Sequence, residues 1–408
     1  MSGTIIIGAS HAGLSCAEKL RQLGYEADIT VIERDTGMPI QRPPLSKAYL
    51  AADEADEANF ALRRPAFFEQ MQVSFRDGVS VTSIHAADNT VRLSDDSLLN
   101  YDNLVLATGA VPRALPAVPE GLKGVHMLRT AADARGLRAD LQQTKTAIVI
   151  GGGYIGLEAA ASLRKHGIDV HVLELADRLL ARVASTPISA FYKDLHEAHG
   201  VQIHLQAAAE AFHKDKGRIS GVRLQDGADI PCEMLLVGIG VIPDMELAEA
   251  AGIQTGNGIL VDAEYRTNIE NIFAIGDVAH CDARWGMRLE SIHHAQFSGA
   301  LVASYITEGK PPVEEAPWFW SDQYDVKLQI AGLIPAADTE GLVHQKRPGR
   351  KDGSFSIWSW QDTILKAVES ANDPKAYMVG KACLETGISP SREQIADPDM
   401  DLKLLLAR

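Results

Sequence analysis

Two glycine-rich segments have the residue types and spacing that bind the phosphates of a dinucleotide. Residues 151–156 read GGGYIG and match G-x-G-x-x-G in full, whereas residues 8–13 read GASHAG, with Ser10 at the second glycine position. The first glycine allows a tight turn, the second admits the pyrophosphate, and the third lets a helix pack closely on a strand. Two such segments predict two bound dinucleotides, as hydride transfer between them requires.

An acidic residue follows each glycine-rich segment, Glu33 after the first and Glu174 after the second. A carboxylate at this position accepts hydrogen bonds from a ribose diol and repels a 2′-phosphate. Glu174 therefore favours NADH over NADPH, although Arg178 and Arg182 lie close enough in the sequence to bind that phosphate instead.

The flanking sequence predicts the elements that position these segments. A β-branched run precedes each one and an Ala/Leu-rich stretch with helical spacing follows it, so residues 1–35 and 146–174 each read as a βαβ unit. Beyond residue 318 this rhythm is lost, and residues 355–360 and 365–370 are predicted to pair as antiparallel strands. We predict an α/β fold with two Rossmann-like dinucleotide-binding domains and a C-terminal α+β domain.

Composition narrows the classes of partner. The formal net charge of −15 argues against nucleic acid and anionic membrane surfaces. A strand that begins by Thr4 and the lack of a long apolar run predict a cytoplasmic protein with no membrane segment. Cys16, Cys232, Cys281 and Cys383 are scattered, which predicts reduced thiols and no metal site.

Six strings occur in an order that resembles a known family. They are QRPPLSK at 41–47, ATGAVPR at 107–113, GGGYIGLE at 151–158, IGD at 275–277, RLES at 288–291 and PWFWSDQ at 317–323. Over essentially its whole length the chain resembles the FAD-dependent ferredoxin reductases of ring-hydroxylating dioxygenase and bacterial cytochrome P450 systems, which have a glutathione-reductase-like fold. We therefore predict an FAD domain at 1–111 and 240–315, an NAD domain at 112–239 and a C-terminal domain at 316–408.

The resemblance implies roles for individual residues. It implies FAD contacts from Gly8, Ser10, His11, Ala12, Gly13, Glu33, Arg42, Lys47, Val81, Ala107, Thr108, Gly109, Arg113, Gly276, Asp277 and Trp320. It implies NAD contacts from Gly151, Gly153, Tyr154, Ile155, Gly156, Glu158, Glu174, Arg182, Gly238 and Glu290. Lys47, Glu158, Glu290 and Trp320 are the expected catalytic set, with a Lys47–Glu158 pair joining the two cofactor sites.

The implied activity is hydride transfer from NADH to FAD, followed by single-electron transfer to a [2Fe–2S] ferredoxin, in a monomer or weak dimer. A rubredoxin reductase and a flavoprotein like apoptosis-inducing factor are the alternatives, and the acidic charge disfavours the second. Thiol-based reductases of this fold place a cysteine where residues 41–50 have none. An acidic ferredoxin would need a basic docking patch, for which the candidates are Arg63-Arg64 and residues 346–351, with Arg347 and Arg350 as test positions.

Overall fold

The structure, a computed structural model, describes residues 3–407. Its strands are β1 Gly3–Ile7, β2 Ile29–Ile32, β3 Val73–Arg76, β4 Val81–His85, β5 Thr90–Leu93, β6 Leu98–Leu106, β7 Ala110–Pro112, β8 Val125–His126, β9 Thr146–Ile150, β10 Asp169–Glu174, β11 Gln202–Leu205, β12 Ala209–Asp215, β13 Arg218–Leu224, β14 Asp229–Pro231, β15 Met234–Val237, β16 Val241–Pro243, β17 Thr255–Gly256, β18 Gly258–Leu260, β19 Ile272–Ala274, β20 Ala279–His280, β21 Trp318–Gln323, β22 Val326–Gly332, β23 Leu342–Pro348, β24 Phe355–Gln361 and β25 Ile364–Ala371. Its α-helices are α1 His11–Gln22, α2 Ala48–Ala51, α3 Pro65–Gln70, α4 Ala131–Asp140, α5 Tyr154–Lys165, α6 Thr186–Ala198, α7 Glu246–Ala250, α8 Ile292–Ile306, α9 Pro374–Thr386 and α10 Arg392–Ala396.

The chain forms two compact units, each built from separate stretches of sequence. The first unit contains Met1–Gln41, Asp56–Val111 and Val241–Glu314. The second contains Arg42–Ala55, Pro112–Gly240 and Glu315–Arg408. Each unit holds one of the two glycine-rich segments. The second unit combines the ranges predicted as the NAD and C-terminal domains and adds the short segment from Arg42 to Ala55.

The first unit is built on a seven-stranded sheet in the order β3-β2-β1-β6-β5-β4, with β19 also beside β6. Strand β1 is parallel to both of its neighbours, β2 and β6, and its isoleucines are buried. Helix α8 lies against α1 so closely that a Cβ added at Gly299 would stand 2.6 Å from the Ala12 carbonyl oxygen. The carboxyl end of β1, where the order of connections reverses, is where a sheet of this type binds ligands.

The second unit contains a parallel sheet in the order β11-β10-β9-β15-β8. Strand β9 occupies the same place in this sheet as β1 does in the first, between two parallel neighbours and directly before a glycine turn and a helix. The predicted pair of Rossmann-like folds is confirmed by this repetition. Its physical basis is local, because each βαβ unit is encoded by a continuous run of residues.

The C-terminal part of the second unit is an antiparallel sheet in the order β21-β22-β25-β24-β23. Strands β24 and β25 are the pair expected from residues 355–360 and 365–370. Buried Trp358, Trp360 and Val368 form a hydrophobic core with Val379 of α9. The predicted C-terminal α+β fold is therefore confirmed.

Candidate functional site

The glycine turn of the second unit leaves room for a phosphate group. Gly151 has φ +109°, and a Cβ there would stand 2.4 Å from the Gly238 carbonyl oxygen. A Cβ on Gly156 would stand 2.1 Å from the Gly151 carbonyl oxygen, so α5 contacts the turn closely. At Gly153, by contrast, a Cβ would meet no other atom of residues 3–407 within 4 Å beyond its chain neighbours. The open space at this one position fits the pyrophosphate of a dinucleotide.

The first unit repeats this geometry. Gly8 has φ +108° and would place a Cβ 2.3 Å from the Ala107 carbonyl oxygen, and Gly13 would place one 2.0 Å from the Gly8 carbonyl oxygen. Ser10, in the position of Gly153, begins α1 but its side chain does not cap the helix. Helix α5 likewise begins without a side-chain cap. Both helices therefore present their first N–H groups and the positive end of their dipole to an anion.

The acidic residues Glu33 and Glu174 form hydrogen bonds with the two glycine turns. Glu33 Oε2 accepts a hydrogen bond from the Ala9 N–H at 2.8 Å, and Glu174 Oε2 accepts one from the Gly152 N–H at 2.7 Å. Glu174 Oε1 also accepts a bond from the Ala176 N–H at 2.8 Å. Each carboxylate thus links the end of the second strand of its βαβ unit to the glycine turn.

The predicted site residues divide between the two units. Those in the first unit are Gly8, Ser10, His11, Ala12, Gly13, Glu33, Val81, Ala107, Thr108, Gly109, Gly276, Asp277 and Glu290. Those in the second are Arg42, Lys47, Arg113, Gly151, Gly153, Tyr154, Ile155, Gly156, Glu158, Glu174, Arg182, Gly238 and Trp320. Four residues expected to contact FAD, Arg42, Lys47, Arg113 and Trp320, are therefore grouped with the NAD fingerprint. Their contacts with the cofactor stay predictions.

Lys47 and Glu158 form the ion pair that the family pattern suggested. The Lys47 Nζ lies 2.6 Å from Glu158 Oε2, and the glutamate side chain is only 3% exposed. Segment 42–55 is held against this part of the unit by several bonds, among them His166 Nε2 to the Leu50 carbonyl oxygen at 2.9 Å and Arg138 to the Ala52 carbonyl oxygen at 2.7 Å. This ion pair, between a buried carboxylate and a lysine whose side chain is 17% exposed, keeps two opposite charges in a defined place.

Two serines that the sequence reasoning missed complete the surroundings of Glu158. Ser46 Oγ donates to Glu158 Oε2 and Ser321 Oγ donates to Glu158 Oε1, both at 2.6 Å. Ser162, one turn beyond Glu158 on α5, donates to the Ser46 carbonyl oxygen at 2.8 Å. Strand alternation would have revealed Ser321, because it faces away from Trp320 in the same PWFWSDQ string.

The tryptophans of that string lie on the other face of β21. The rings of Trp318 and Trp320 are 5.7 Å apart, as expected for side chains two residues apart on a strand. Phe319, between them, contacts the Tyr154 ring instead, with centroids 4.7 Å apart. The alternation places an aromatic pair on one face and the groups around Glu158 on the other.

In the first unit, Arg288 organises the loop that carries two predicted cofactor residues. Its guanidinium donates to the Asp277 carbonyl oxygen at 2.8 Å and forms an ion pair with Glu290 at 2.8 Å. Gly276 donates its N–H to Ser298 Oγ at 3.0 Å. The Asp277 and Glu290 segments are thus tied together through one side chain.

The two arginines near Glu174 differ in what they bind. Arg178 donates to the carbonyl oxygens of Ala181 and Ala184 at 2.7 and 2.9 Å, so it folds its own loop. Arg182 is exposed. The expectation that Arg178 or Arg182 could bind a 2′-phosphate stays a prediction.

The prediction that Arg347 lies in a docking patch is wrong. Its side chain is buried, 6% exposed, and it donates to the carbonyl oxygens of Ile395, Asp397, Pro398 and Met400. Arg350, three residues later, is exposed. The alternation of β23 turns Arg347 inward, where it binds the end of α10 and the segment after it.

The four cysteines are buried and unpaired, as predicted. Burial raises the pKa of the Cys16 and Cys232 thiols to about 12, which keeps them protonated. Among residues 3–407 no group of three or more His, Cys, Asp or Glu side chains is arranged to hold a metal ion. No helix in that range has the length and apolar character to span a bilayer.

Comparison with known proteins defines the class of protein. Residues 3–299 match the profile described as "Pyridine nucleotide-disulphide oxidoreductase", and residues 318–406 match the profile described as "Reductase C-terminal". The chain therefore belongs to the pyridine nucleotide-disulphide oxidoreductase family and is an oxidoreductase.

Individual relatives narrow that class. Rhodocoxin reductase from Rhodococcus erythropolis is 41% identical, over 99% of this chain and 94% of its own length. The structure matches a covalent putidaredoxin reductase–putidaredoxin complex with TM-score 0.94 at 34% identity, covering 100% and 98% of the two chains. It matches a ferredoxin reductase from Rhodopseudomonas palustris with TM-score 0.93 at 38% identity, covering 99% of each. The resemblance to ferredoxin reductases is confirmed.

Proposed function

We propose that this protein is an FAD-dependent NADH:ferredoxin reductase. The observation that carries the proposal is the pair of matching glycine turns, at Gly8 and Gly151, each opening an uncapped helix beside a carboxylate. One such turn fits one dinucleotide, so the chain is equipped for two. FAD, when bound, supplies the chemistry of accepting a hydride and releasing electrons one at a time.

The side chains of the protein bind and orient rather than react. The N–H groups that begin α1 and α5 hold the pyrophosphates, and Glu33 and Glu174 hold the riboses. Lys47 supplies a positive charge that Glu158 keeps in place at 2.6 Å. The position at which thiol-based relatives have a cysteine belongs in this chain to the segment that carries Ser46 and Lys47, which supports an external electron acceptor.

Glu174 supports NADH as the hydride donor. Its carboxylate stands at the end of β10, where it favours a 2′-hydroxyl and repels a 2′-phosphate. Arg178, the nearer of the two candidate phosphate ligands, is bound to its own loop. NADPH is accordingly the weaker donor.

A ferredoxin is the proposed electron acceptor, and a [2Fe–2S] ferredoxin is the specific type. The ferredoxin reductases among the relatives and the structural match to a reductase–ferredoxin-type complex support this choice. The alternative acceptor, a rubredoxin, is compared directly with a ferredoxin in the experiment below. We propose a monomer or weak dimer as the working form.

Anaerobic stopped-flow spectroscopy tests the proposal. We expect a flavin absorption spectrum in the purified protein, rapid bleaching with NADH and at least tenfold slower bleaching with NADPH. The reduced protein should then reduce a [2Fe–2S] ferredoxin faster than a rubredoxin, and should also reduce ferricyanide. The proposal fails if the protein binds no flavin, or if NADH does not bleach it.

A further inference from the structure

A line of hydrogen bonds leads from the Glu158 carboxylate through the second unit. Ser321 Oγ, which donates to Glu158 Oε1 at 2.6 Å, lies 3.1 Å from Gln323 Nε2. The amide N–H can only donate, so the Ser321 hydroxyl accepts from Gln323 and gives its single proton to Glu158. Gln323 is 1% exposed and Ser321 is fully buried.

The line continues to a buried histidine. Gln323 Oε1 lies 2.7 Å from His196 Nε2, and an amide oxygen can only accept, so His196 must carry a proton on Nε2. The other ring nitrogen, Nδ1, lies 3.2 Å from the Tyr324 hydroxyl. Burial lowers the pKa of His196 to about 4, so the ring is neutral near pH 7 and Nδ1 accepts from Tyr324.

All donors in this line therefore point toward Glu158. The donor chain, as we name it, runs from Tyr324 through His196, Gln323 and Ser321 to Glu158. A reversed chain would turn the Ser321 hydroxyl toward Gln323 and leave Glu158 Oε1 without that donor. Such an unsatisfied, buried, charged oxygen is costly, which favours the direction seen here.

We propose that Gln323 and His196 are positioning residues, which act through Ser321 to hold the charged Glu158 carboxylate against Lys47 during NADH oxidation. Their effect on Lys47 passes through Ser321 and Glu158, and it depends on the tautomer of His196. The catalytic part of this inference rests on the proposed function, whereas the direction of the donor chain does not.

A double-mutant cycle tests whether Gln323 acts through Ser321. The variants are Ser321→Ala, Gln323→Leu and both together, and the measurement is kcat/KM for NADH with ferricyanide as acceptor. We expect each single change to lower kcat/KM at least fivefold, mainly through kcat, and the double variant to match Ser321→Ala. Losses that multiply in the double variant would show a merely structural role and overturn the proposal.

Gln345→Leu is the matched control. Gln345 lies on β23 of the same sheet, and its amide donates to the Lys346 carbonyl oxygen rather than to a member of the donor chain. We expect wild-type kcat/KM from this variant. An equal loss there and in Gln323→Leu would also overturn the proposal.

Nitrogen-15 NMR of the wild-type holoprotein tests the chain without measuring activity. With ¹⁵N-labelled histidine, and His196→Gln to assign the signal, we expect a neutral ring protonated on Nε2 from pH 6 to pH 8. A ring protonated on Nδ1 would refute the donor direction. This reading stands even if Gln323→Leu fails to fold, and failure of the proposed function would appear separately as an absence of NADH oxidation in the wild type.

Discussion

At the scale of single residues, substitutions of the charged groups inside the second unit should lower the free energy of unfolding most. Glu158 is nearly buried and depends on Lys47 for charge compensation. Removing one member of a buried ion pair leaves the other charge unpaired, which costs more than removing both.

We therefore expect Lys47→Met to lower the free energy of unfolding by about 3 kcal/mol. The double variant Lys47→Met/Glu158→Gln should recover most of that loss, because it leaves no unpaired charge. Urea denaturation at pH 7 followed by circular dichroism provides the measurement. A double variant that is less stable than Lys47→Met would contradict the assignment of a buried pair.

Glu369 is a second buried carboxyl group and its pKa sets a pH dependence. Its Oε1 accepts a hydrogen bond from the Ser185 N–H at 3.0 Å, at the start of α6. Burial raises its pKa from 4.5 to about 7. The folded protein therefore binds the Glu369 proton more tightly than the unfolded chain does. The protonated carboxyl group stabilises the folded state in acid, and this stabilisation is lost as the pH rises from about 4.5 through about 7.

Glu369→Gln should remove this loss of stability at high pH, because glutamine has no proton to release. Relative to the wild type, we expect the variant to gain on the order of 3 kcal/mol in unfolding free energy between pH 5 and pH 8. Urea titrations at the two pH values measure the difference, and Glu340→Gln at an exposed position is the control. Parallel pH profiles for Glu369→Gln and the wild type would disprove the raised pKa.

At the scale of elements, the glycine turns separate a folding requirement from a binding requirement. Gly151 is required by its positive φ and by the close carbonyl oxygen of Gly238, whereas no atom that the structure describes crowds a Cβ at Gly153. The two positions of one turn should therefore respond differently to the same substitution.

Gly153→Ala should keep wild-type stability within about 0.5 kcal/mol. It should weaken NADH binding at least tenfold, because the added methyl would fill the space in which we propose the pyrophosphate binds. Thermal unfolding and NADH titration of the holoprotein measure the two effects. Gly136→Ala, in α4, where a Cβ would meet only His126 Nδ1 at 3.9 Å, is the control and should bind NADH normally. Unchanged NADH affinity in Gly153→Ala would place the pyrophosphate elsewhere.

The sequence predicts features whose residues are close together along the chain, and it does not predict contacts between residues that are far apart along it. The turns at Gly8 and Gly151 were predictable because strand, turn and helix are consecutive. Gln323 and His196 were not, because they come together only when the C-terminal sheet lies against α6. Segment 42–55 was likewise predicted with the FAD domain, but its contacts through Arg138 and His166 group it with the second unit.

At the scale of the whole molecule, the net charge of −15 requires a local positive surface if an acidic ferredoxin is to dock. With Arg347 buried, the remaining cationic residues in that run are Lys346, Arg350 and Lys351, all exposed. Lys346 lies over the Phe355 ring, 4.3 Å from its centroid, so Arg350 and Lys351 are the positions chosen for the test. Of the other candidate pair, Arg63 is bound to Glu18 and Arg64 is exposed.

Reversing Arg350 and Lys351 to Glu should slow ferredoxin reduction several-fold at low salt and leave ferricyanide reduction unchanged. The difference should shrink as salt screens the charges. Stopped-flow rates at several salt concentrations measure it, with Lys123→Glu/Lys214→Glu as a charge-matched control at exposed positions. Equal slowing by both double variants would indicate net charge rather than a docking patch.

The hydrogen bond from the Gly152 N–H to Glu174 has a consequence for engineering the coenzyme preference. Glu174, the residue proposed to discriminate between the two nicotinamide coenzymes, also holds the glycine turn in place through this bond. Replacing Glu174 with a basic residue that binds the 2′-phosphate of NADPH would also remove this bond and destabilise the glycine turn. A redesign for NADPH would therefore need a new acceptor for the Gly152 N–H. Changing the coenzyme preference thus requires at least two substitutions, one for the 2′-phosphate and one for the turn.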